Sequence, residues 1–417
     1  MKGFGRASCP TAPGPGSTVT RRVAASYSQQ LWRFCRNKRV GFAASIQPLI
    51  QRVRDGAPPA GVLLAVHDGS TPAFATHASK TDRRQLTHAT DVGYDLATVL
   101  MARGNDGAPL APVSVSLATR TTVLSTQPDP VADVAHVDQL RSRMDFVASL
   151  NLGTPVVHVI DREADSVGRW RDGSAAGHRV LVRADDRLVW HNGQERKLAT
   201  VAEELKSRGG LGGAGEALYR GRKAWRFVGQ AAVVLHRPAK RWDGERQHVV
   251  AGAPLSLRLV VESRDVTGRV LSRWLLLTNV PAEDADAATV ASWYYWRWRI
   301  EDRHKLLESA GWQLESWLQR NGERLLRKLV LALSACAAVW ALERREDASS
   351  ESLKGLLVAS SGRQTKHRQP VTTPALLAGL WVLQQAVSWL SRDGPNDPNA
   401  LLKQHLPLFA TCSQQNE

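Results

Sequence analysis

Residues 62–68, VLLAVHD, are apolar almost throughout and end in a carboxylate. An unbroken apolar run this short marks a strand buried on both faces, because an amphipathic helix would show a longer, interrupted pattern. Residues 155–161, PVVHVID, repeat the arrangement. Between the two runs, extended segments are predicted around 73–77, 92–101 and 113–122. A helix is predicted next, since Val137, Leu140, Met144, Val147 and Leu150 recur at helical spacing, and Gly153 ends it. Strands, then a helix, then a strand predict an α/β fold with a mixed sheet covered by helices.

The pattern changes at 178–280. Four apolar stretches, HRVLVRADD, WRFVGQAAVVLH, LSLRLVVESR and RWLLLTNV, are separated by Gly-rich and charged turns. They predict a β-rich insertion over 181–281, with one helix at 198–207. From 282 onward the chain reads as helical. Residues 283–317 contain no proline and one glycine, Gly311, so a single long helix is expected through most of them. A second helix is expected at 325–342 and, after a polar break at 347–352, a helical C-terminal region. There Thr373 and Pro374 make an N-cap followed by proline at the first helical position. Leu377, Leu380, Trp381 and Trp389 line one broad face, suited to internal packing or to a second subunit. At the other end, residues 26–54 predict two short helices carrying Arg33, Arg36, Lys38 and Arg39, either a DNA contact or a solvated face. The expected divisions are 1–58, a small basic helical N-terminal region, 59–180, the first part of a core, 181–281, the insertion, 282–345, the helical second part of the core, and 346–417, a C-terminal helical region for dimerisation.

Charge narrows the class of partner. Fifty-five Lys and Arg against 39 acidic residues give a formal net charge of +16 and a sequence pI near 10.2. A field of that sign attracts a polyanion, and nucleic acid is the favoured one. The apolar run at 329–342 is too short to span a bilayer and reads as a buried core helix. Cys9, Cys35, Cys336 and Cys412 form no CxxC pair, which points away from zinc fingers and disulfide frameworks and toward a reducing, cytoplasmic setting. The absence of GxxxxGK[ST], HExxH and GxSxG strings lowers the ATPase, zinc protease and serine hydrolase readings.

Asp68 and Asp161 stand at the C-terminal ends of the two buried strands, where side chains reach into a cleft. Two carboxylates roughly 4 Å apart repel by about 4 kcal/mol at an effective dielectric near 20. A divalent cation removes that repulsion, and oxygen ligands without thiolates select Mg²⁺ or Mn²⁺. Acidic residues also end strands in many α/β proteins without any such role. A further carboxylate lies in WYYWRWRIEDRHKLLES, which begins at Trp293. On a continuous helix Tyr294, Arg297 and Glu301 share a face and Lys305 follows one turn later, a set able to handle a phosphate beside a metal. The same spacing also suits a surface helix with ion pairs from Arg297 and Lys305 to Glu301.

Tyr-x2-Arg-x3-Glu resembles the opening of the Tyr-Arg-Glu-Lys signature of the IS-four family of bacterial transposases, in particular its Tn-five-type members. Three further strings agree in order: HDGST at 67–71 resembles the family's first aspartate motif, DREAD at 161–165 its second, and WLLLT at 274–278 the strand before the signature helix. The resemblance runs from about residue 61 to about 345. It implies a ribonuclease-H-like mixed sheet core in which Asp68, Asp161 and Glu301 carry two Mg²⁺ or Mn²⁺ ions. Tyr294, Arg297 and Lys305 would hold DNA backbone, and Trp274 falls where the family stacks an aromatic on an extruded base. The implied activity is cut-and-paste transposition through a DNA hairpin, on double-stranded inverted-repeat ends and target DNA, by a homodimer on the bacterial nucleoid. One position departs: Glu308 stands where the signature has its final Lys, and a carboxylate there repels phosphate. That keeps open an impaired relative that binds DNA without cutting it. A metal-dependent nuclease with the same core is the other alternative.

Overall fold

The two apolar runs become neighbouring parallel strands at the centre of a twelve-stranded mixed sheet in the computed structural model of the protein. The structure describes residues 21–390 apart from 87, 89, 130, 132–137, 220, 221, 243, 244, 267, 268, 308–311 and 364–370. Cys9, Val137, Arg220, Glu308, Gly311 and Cys412 therefore lie outside the described residues, as does the side chain of Trp389.

The first run is β1 (Leu63–Ser70). It is followed by two long antiparallel strands, β2 (Asp95–Arg103) and β3 (Pro109–Ala118), and by the short β4 (Val123–Ser125). On its other side β1 pairs in parallel with β5 (Val156–Ile160), which pairs in parallel with β6 (Arg179–Arg183). The order β3-β2-β1-β5-β6 thus joins three antiparallel strands to two parallel ones. A parallel connection needs a crossover. Helix α3 (Leu140–Ser149) lies in the link to β5 and α4 (Val167–Ala175) in the link to β6. Ala73–His77 holds only an isolated bridge from Ala73 to Gly93, so the expected strand there is a turn.

Most of the β-rich insertion joins the central sheet, while Ala239–Trp242 and Gln247–Val250 pair as a separate two-stranded sheet. The strands that join the central sheet are β7 (Leu188–His191), β8 (Gln194–Lys197), β9 (Gly212–Tyr219), β10 (Arg222–Leu235), β11 (Leu255–Val266) and β12 (Arg269–Thr278). They extend the central sheet past β6 in the order β6-β12-β11-β10-β7-β8, with β9 paired to β10. The junction is antiparallel: Leu276, Leu277 and Thr278 face Arg183, Val182 and Leu181. A β6 edge left open would expose unpaired backbone groups, and β12 satisfies them. The helix α5 occupies Leu198–Ser207, as expected, and buries Leu198, Val201 and Ala202 against Val233, Leu257 and Leu259 of the sheet.

Among the described residues, 38–337 form one compact unit and 21–37 with 338–390 form another. The helix α1 (Arg21–Arg36) falls in the second unit and α2 (Phe42–Gly56) in the first, so the expected N-terminal module of 1–58 is divided. Packing explains this: α2 buries Ile46, Leu49, Ile50 and Val53, and it lies on β3. Helix α8 (Gly322–Glu343) is longer than its apolar centre indicates. By length and composition it could cross a membrane, but most of its apolar window is buried within the protein, as in a core helix. In the second unit α9 (Ala348–Ser360) and α10 (Thr373–Leu390) pack closely. A Cβ on Gly379 would lie 1.8 Å from the Leu357 carbonyl oxygen, so only glycine permits this approach. The side chain of Thr373 donates to the Glu343 carboxylate at 3.2 Å.

Candidate active site

Strand register brings the two aspartates level. Leu63 faces Val156 and Val66 faces Val159, so two more residues along both strands set Asp68 beside Asp161. Neighbouring strands lie about 4.8 Å apart, so the two aspartates start from adjacent backbone positions. One strand further on, Ile160 faces Val182, which sets Arg183 level with Asp161. Asp161 itself ends β5 and turns the chain: its carboxylate accepts the Arg162 backbone N–H at 2.8 Å and caps the short turn Arg162–Ala164.

The third carboxylate arrives on helices seated by aromatic residues. Helix α6 (Ala287–Trp296) buries Val290, Ala291, Trp293 and Tyr294. The Trp293 indole N–H donates to the Gly104 carbonyl at 2.9 Å, in the turn between β2 and β3. In the same turn Gly107 has φ +67, and a Cβ there would lie 2.2 Å from the Trp296 ring. Gly107→Ala is therefore expected to displace Trp296 and tilt the end of α6. Thermal unfolding should shift down by a few degrees, consistent with a loss of about 1–3 kcal/mol for a strained, crowded site; an unchanged midpoint would mean that the ring relaxes freely.

The single long helix expected from 283 onward is broken. Helix α6 stops at Trp296 and α7 runs over Arg299–Leu307. Between them the backbone bonds run to the third residue back: Arg297 N–H to Tyr294, Trp298 to Tyr295, Ile300 to Arg297 and Glu301 to Trp298. Such a tightened turn alters the angular step, so Tyr294, Arg297 and Glu301 do not share one continuous α-helical face. Tertiary contacts bring them together instead. The Tyr294 hydroxyl donates to Asp161 Oδ1 at 2.9 Å, and Arg297 Nη2 pairs with Asp161 Oδ2 at 3.3 Å. The ion pair within the helix that the spacing also allowed gives way to this one across the fold.

Electrostatics ties the three carboxylates to one guanidinium. Burial pulls the Arg297 pKa down, but the Tyr294 phenol and then the Asp161, Asp68 and Glu301 carboxylates outweigh it and hold the group above its ordinary value. Asp161 responds in kind. Burial would raise its pKa, yet Arg297, the Arg162 N–H, the Tyr294 hydroxyl and Arg183 together keep it below the usual carboxylate range. Among the described residues no three His, Cys, Asp or Glu side chains are gathered closely enough to hold a metal ion as they lie. Both Asp161 oxygens are engaged, one by Tyr294 and one by Arg297. Lys305 is exposed on α7, one turn beyond Glu301.

Two tryptophans near the site differ in exposure. Trp274 on β12 is only 8% exposed. The Arg264 guanidinium lies 4.1 Å over its ring and Tyr294 meets it edge-on at 5.1 Å, so in this conformation the indole has no face for a base. Trp298, in the tight turn beside Arg297 and one turn before Glu301, is 54% exposed.

Other parts of the site gave weaker sequence signals. Asp165, the last residue of DREAD, is a buried hub: it accepts the Trp170 indole N–H, the Asp185 backbone N–H and the Arg187 guanidinium. Arg183 could have been found by aligning the tips of parallel strands. On the face of β1 away from Asp68, His67 and His158 meet at 2.9 Å. Burial lowers both, His67 well below its ordinary value and His158 to about 3, so the pair is uncharged at neutral pH.

No family model and no curated protein matches the chain. Among solved structures the chain is similar to piggyBac transposase in a synaptic complex with hairpin DNA, at 9% identity and TM-score 0.36, over 83% of this chain and 57% of that one. It is also similar to Drosophila P element transposase in a strand transfer complex, at 10% identity and TM-score 0.19, over 91% of this chain and 79% of that one. The chain thus spans little more than half the length of the piggyBac chain, and likenesses this remote carry no functional argument.

Proposed function

We propose that the protein is a DNA transposase of the Asp-Asp-Glu type, resembling the IS-four family, that cuts and joins DNA phosphodiesters. The observation that carries this is the strand register that sets Asp68 level with Asp161, with Arg297, four residues before Glu301, paired to the Asp161 carboxylate. The sheet order β3-β2-β1-β5-β6, three antiparallel strands followed by two parallel ones, supports a ribonuclease-H-like core. The excess of basic residues supports double-stranded DNA as partner, at inverted-repeat ends and at the target. A homodimer acting through a hairpin intermediate on the nucleoid completes the reading.

The donor set fits a hard divalent cation: three carboxylates, no thiolate, and a local demand for positive charge that Arg297 meets in part. Asp68, Asp161 and Glu301 would hold Mg²⁺ or Mn²⁺, as one ion or a pair. Bound there, the metal would supply Lewis acidity toward the phosphodiester. The protein's own groups do the rest. Tyr294 and Arg297 fix the direction of the Asp161 carboxylate, and Arg297, with Lys305 beyond it, presents positive charge to phosphate oxygens. Trp298 offers an exposed ring to a base that leaves the stack.

The test is cleavage of DNA carrying the inverted repeats that flank the gene, with and without Mg²⁺. Hairpin products support the transposase. Cleavage without end preference would replace it with a nuclease, and end binding without cleavage in either metal with an inactive relative. Trp298→Ala is expected to leave first-strand nicking within about threefold while slowing hairpin formation roughly tenfold or more, since loss of a base-stacking ring is worth about 1–3 kcal/mol. Equal loss at both steps would make the tryptophan a structural residue.

A further inference from the structure

We propose that Arg264 is a positioning residue for the Asp161 carboxylate, acting through Trp274 and Tyr294; the proposal rests on the cleavage reading above. An unbroken line of contacts leads from the extended sheet to the site. Glu262 on β11 sits directly opposite Trp274 on β12 in the strand register. Its side chain is fully buried and accepts from Arg264 Nε at 2.8 Å and from Arg226 Nε at 3.1 Å. Arg226 in turn donates to the Ser292 hydroxyl on α6. So anchored, the Arg264 guanidinium lies 4.1 Å over the Trp274 ring and 5.1 Å over that of Tyr295. Trp274 meets Tyr294 edge-on, with an interplanar angle of 78°. The Tyr294 hydroxyl then reaches Asp161 Oδ1.

Stability alone does not account for Arg264. Its side chain is 3% exposed, and its Nη2 is buried with no hydrogen-bond partner. Two guanidiniums share the single carboxylate of Glu262, and the Arg264 guanidinium is covered by aromatic rings. An apolar side chain of similar volume would fill the space without that desolvation. What the guanidinium adds is direction. Held by Glu262 on one side, it confines the Trp274 ring on the other, and the edge-to-face contact confines the phenol. A phenol held in place keeps Asp161 Oδ1 engaged and so sets the rotation of the carboxylate toward Asp68 and Glu301. Misplacement of a reacting constellation by about an ångström slows chemistry on the order of a hundredfold, so this confinement has a kinetic reading.

Arg264→Lys keeps a cation beside Glu262 and removes the planar group over Trp274. Tyr294→Phe removes only the hydroxyl at the other end of the line. In single-turnover cleavage of DNA with the flanking repeats, each variant should slow the chemical step roughly tenfold, and Arg264→Lys should leave DNA affinity unchanged. The double variant should be no slower than the worse single variant, because both interrupt one line. Multiplied losses in the double variant, or full activity in Arg264→Lys, overturn the proposal. Trp274→Phe, which shrinks the middle ring, serves if Arg264→Lys fails to fold, with the same pattern expected against Tyr294→Phe. If the wild-type protein cleaves nothing, the transposase reading fails, and urea unfolding of the same four proteins decides the contact line separately. Non-additive midpoints there uphold the coupling of Arg264 to Tyr294, and additive midpoints overturn it.

Discussion

Asp161→Asn is expected to abolish metal-dependent DNA cleavage while leaving DNA binding within a few-fold of wild type. The carboxylate stands where the register of β1 and β5 sets it level with Asp68, and both its oxygens are held, one by Tyr294 and one by Arg297. Asparagine keeps the shape but loses the charge that a divalent cation requires. Loss of even an outer partner of a metal ligand lowers affinity or activity about 10- to 100-fold, so loss of a ligand should exceed that. Asp68→Ala and Glu301→Ala should behave alike, since both carboxylates act on the same Arg297 guanidinium. Binding persists because phosphate contacts come from basic groups elsewhere. Cleavage above a hundredth of the wild-type rate in any of the three would remove that residue from the site. The Asp161 substitution carries a pH signature as well. A carboxylate whose folded pKa is depressed stabilises the fold above its unfolded pKa, and that contribution fades as pH falls through the folded value. The stability gap between wild type and Asp161→Asn should therefore narrow on acidification through the carboxylate range, as read by urea unfolding. A gap constant with pH would mean that Arg297 and Tyr294 do not favour the charged form.

Asp165→Ala is expected to be the most destabilising single change near the site. The Asp165 side chain is fully buried, and three elements hang on it. Trp170 of α4 donates at 3.0 Å, the Asp185 backbone at 2.7 Å and Arg187 Nε at 3.1 Å, all to its carboxylate. Alanine leaves the Arg187 cation without its partner and strands the indole N–H in the interior. Removing one member of a buried ion pair typically costs about 3–5 kcal/mol, which for a domain of this size is a fall of roughly 10 °C in the unfolding midpoint. Asp165→Asn should lose less, because the amide oxygen still accepts a hydrogen bond. Scanning calorimetry of both variants checks this. A midpoint for Asp165→Ala within about 2 °C of wild type would show that water replaces the carboxylate.

Much of this arrangement was legible in the chain. The apolar runs ending at Asp68 and Asp161 are strands because burial on both faces leaves no polar alternation to read otherwise. The one helix expected among the strands of the insertion, at 198–207, is α5. At the long helix the reading failed: absence of proline permits a continuous helix but does not require one, and the turn at Arg297 and Trp298 is set by where Trp293 and Trp296 seat on Gly104 and Gly107. The insertion was legible as β-rich and no further. Its strands announce themselves by composition, but no local pattern says whether β12 closes a separate sheet or completes the edge of β6.

Residue types and spacing determined which side chains could carry the chemistry: two carboxylates at strand ends, a third on a helix, and the basic groups around it. Tertiary structure alone decided that Arg297 turns to Asp161 and not to Glu301, that Trp274 is covered by Arg264, and that Trp298 is the exposed ring. Local sequence sets backbone preference over a few residues, whereas a side chain's partner depends on which distant strand or turn lies opposite when the sheet closes. Those contacts join residues more than a hundred positions apart in the case of Tyr294 and Asp161, and nothing in either neighbourhood encodes the other.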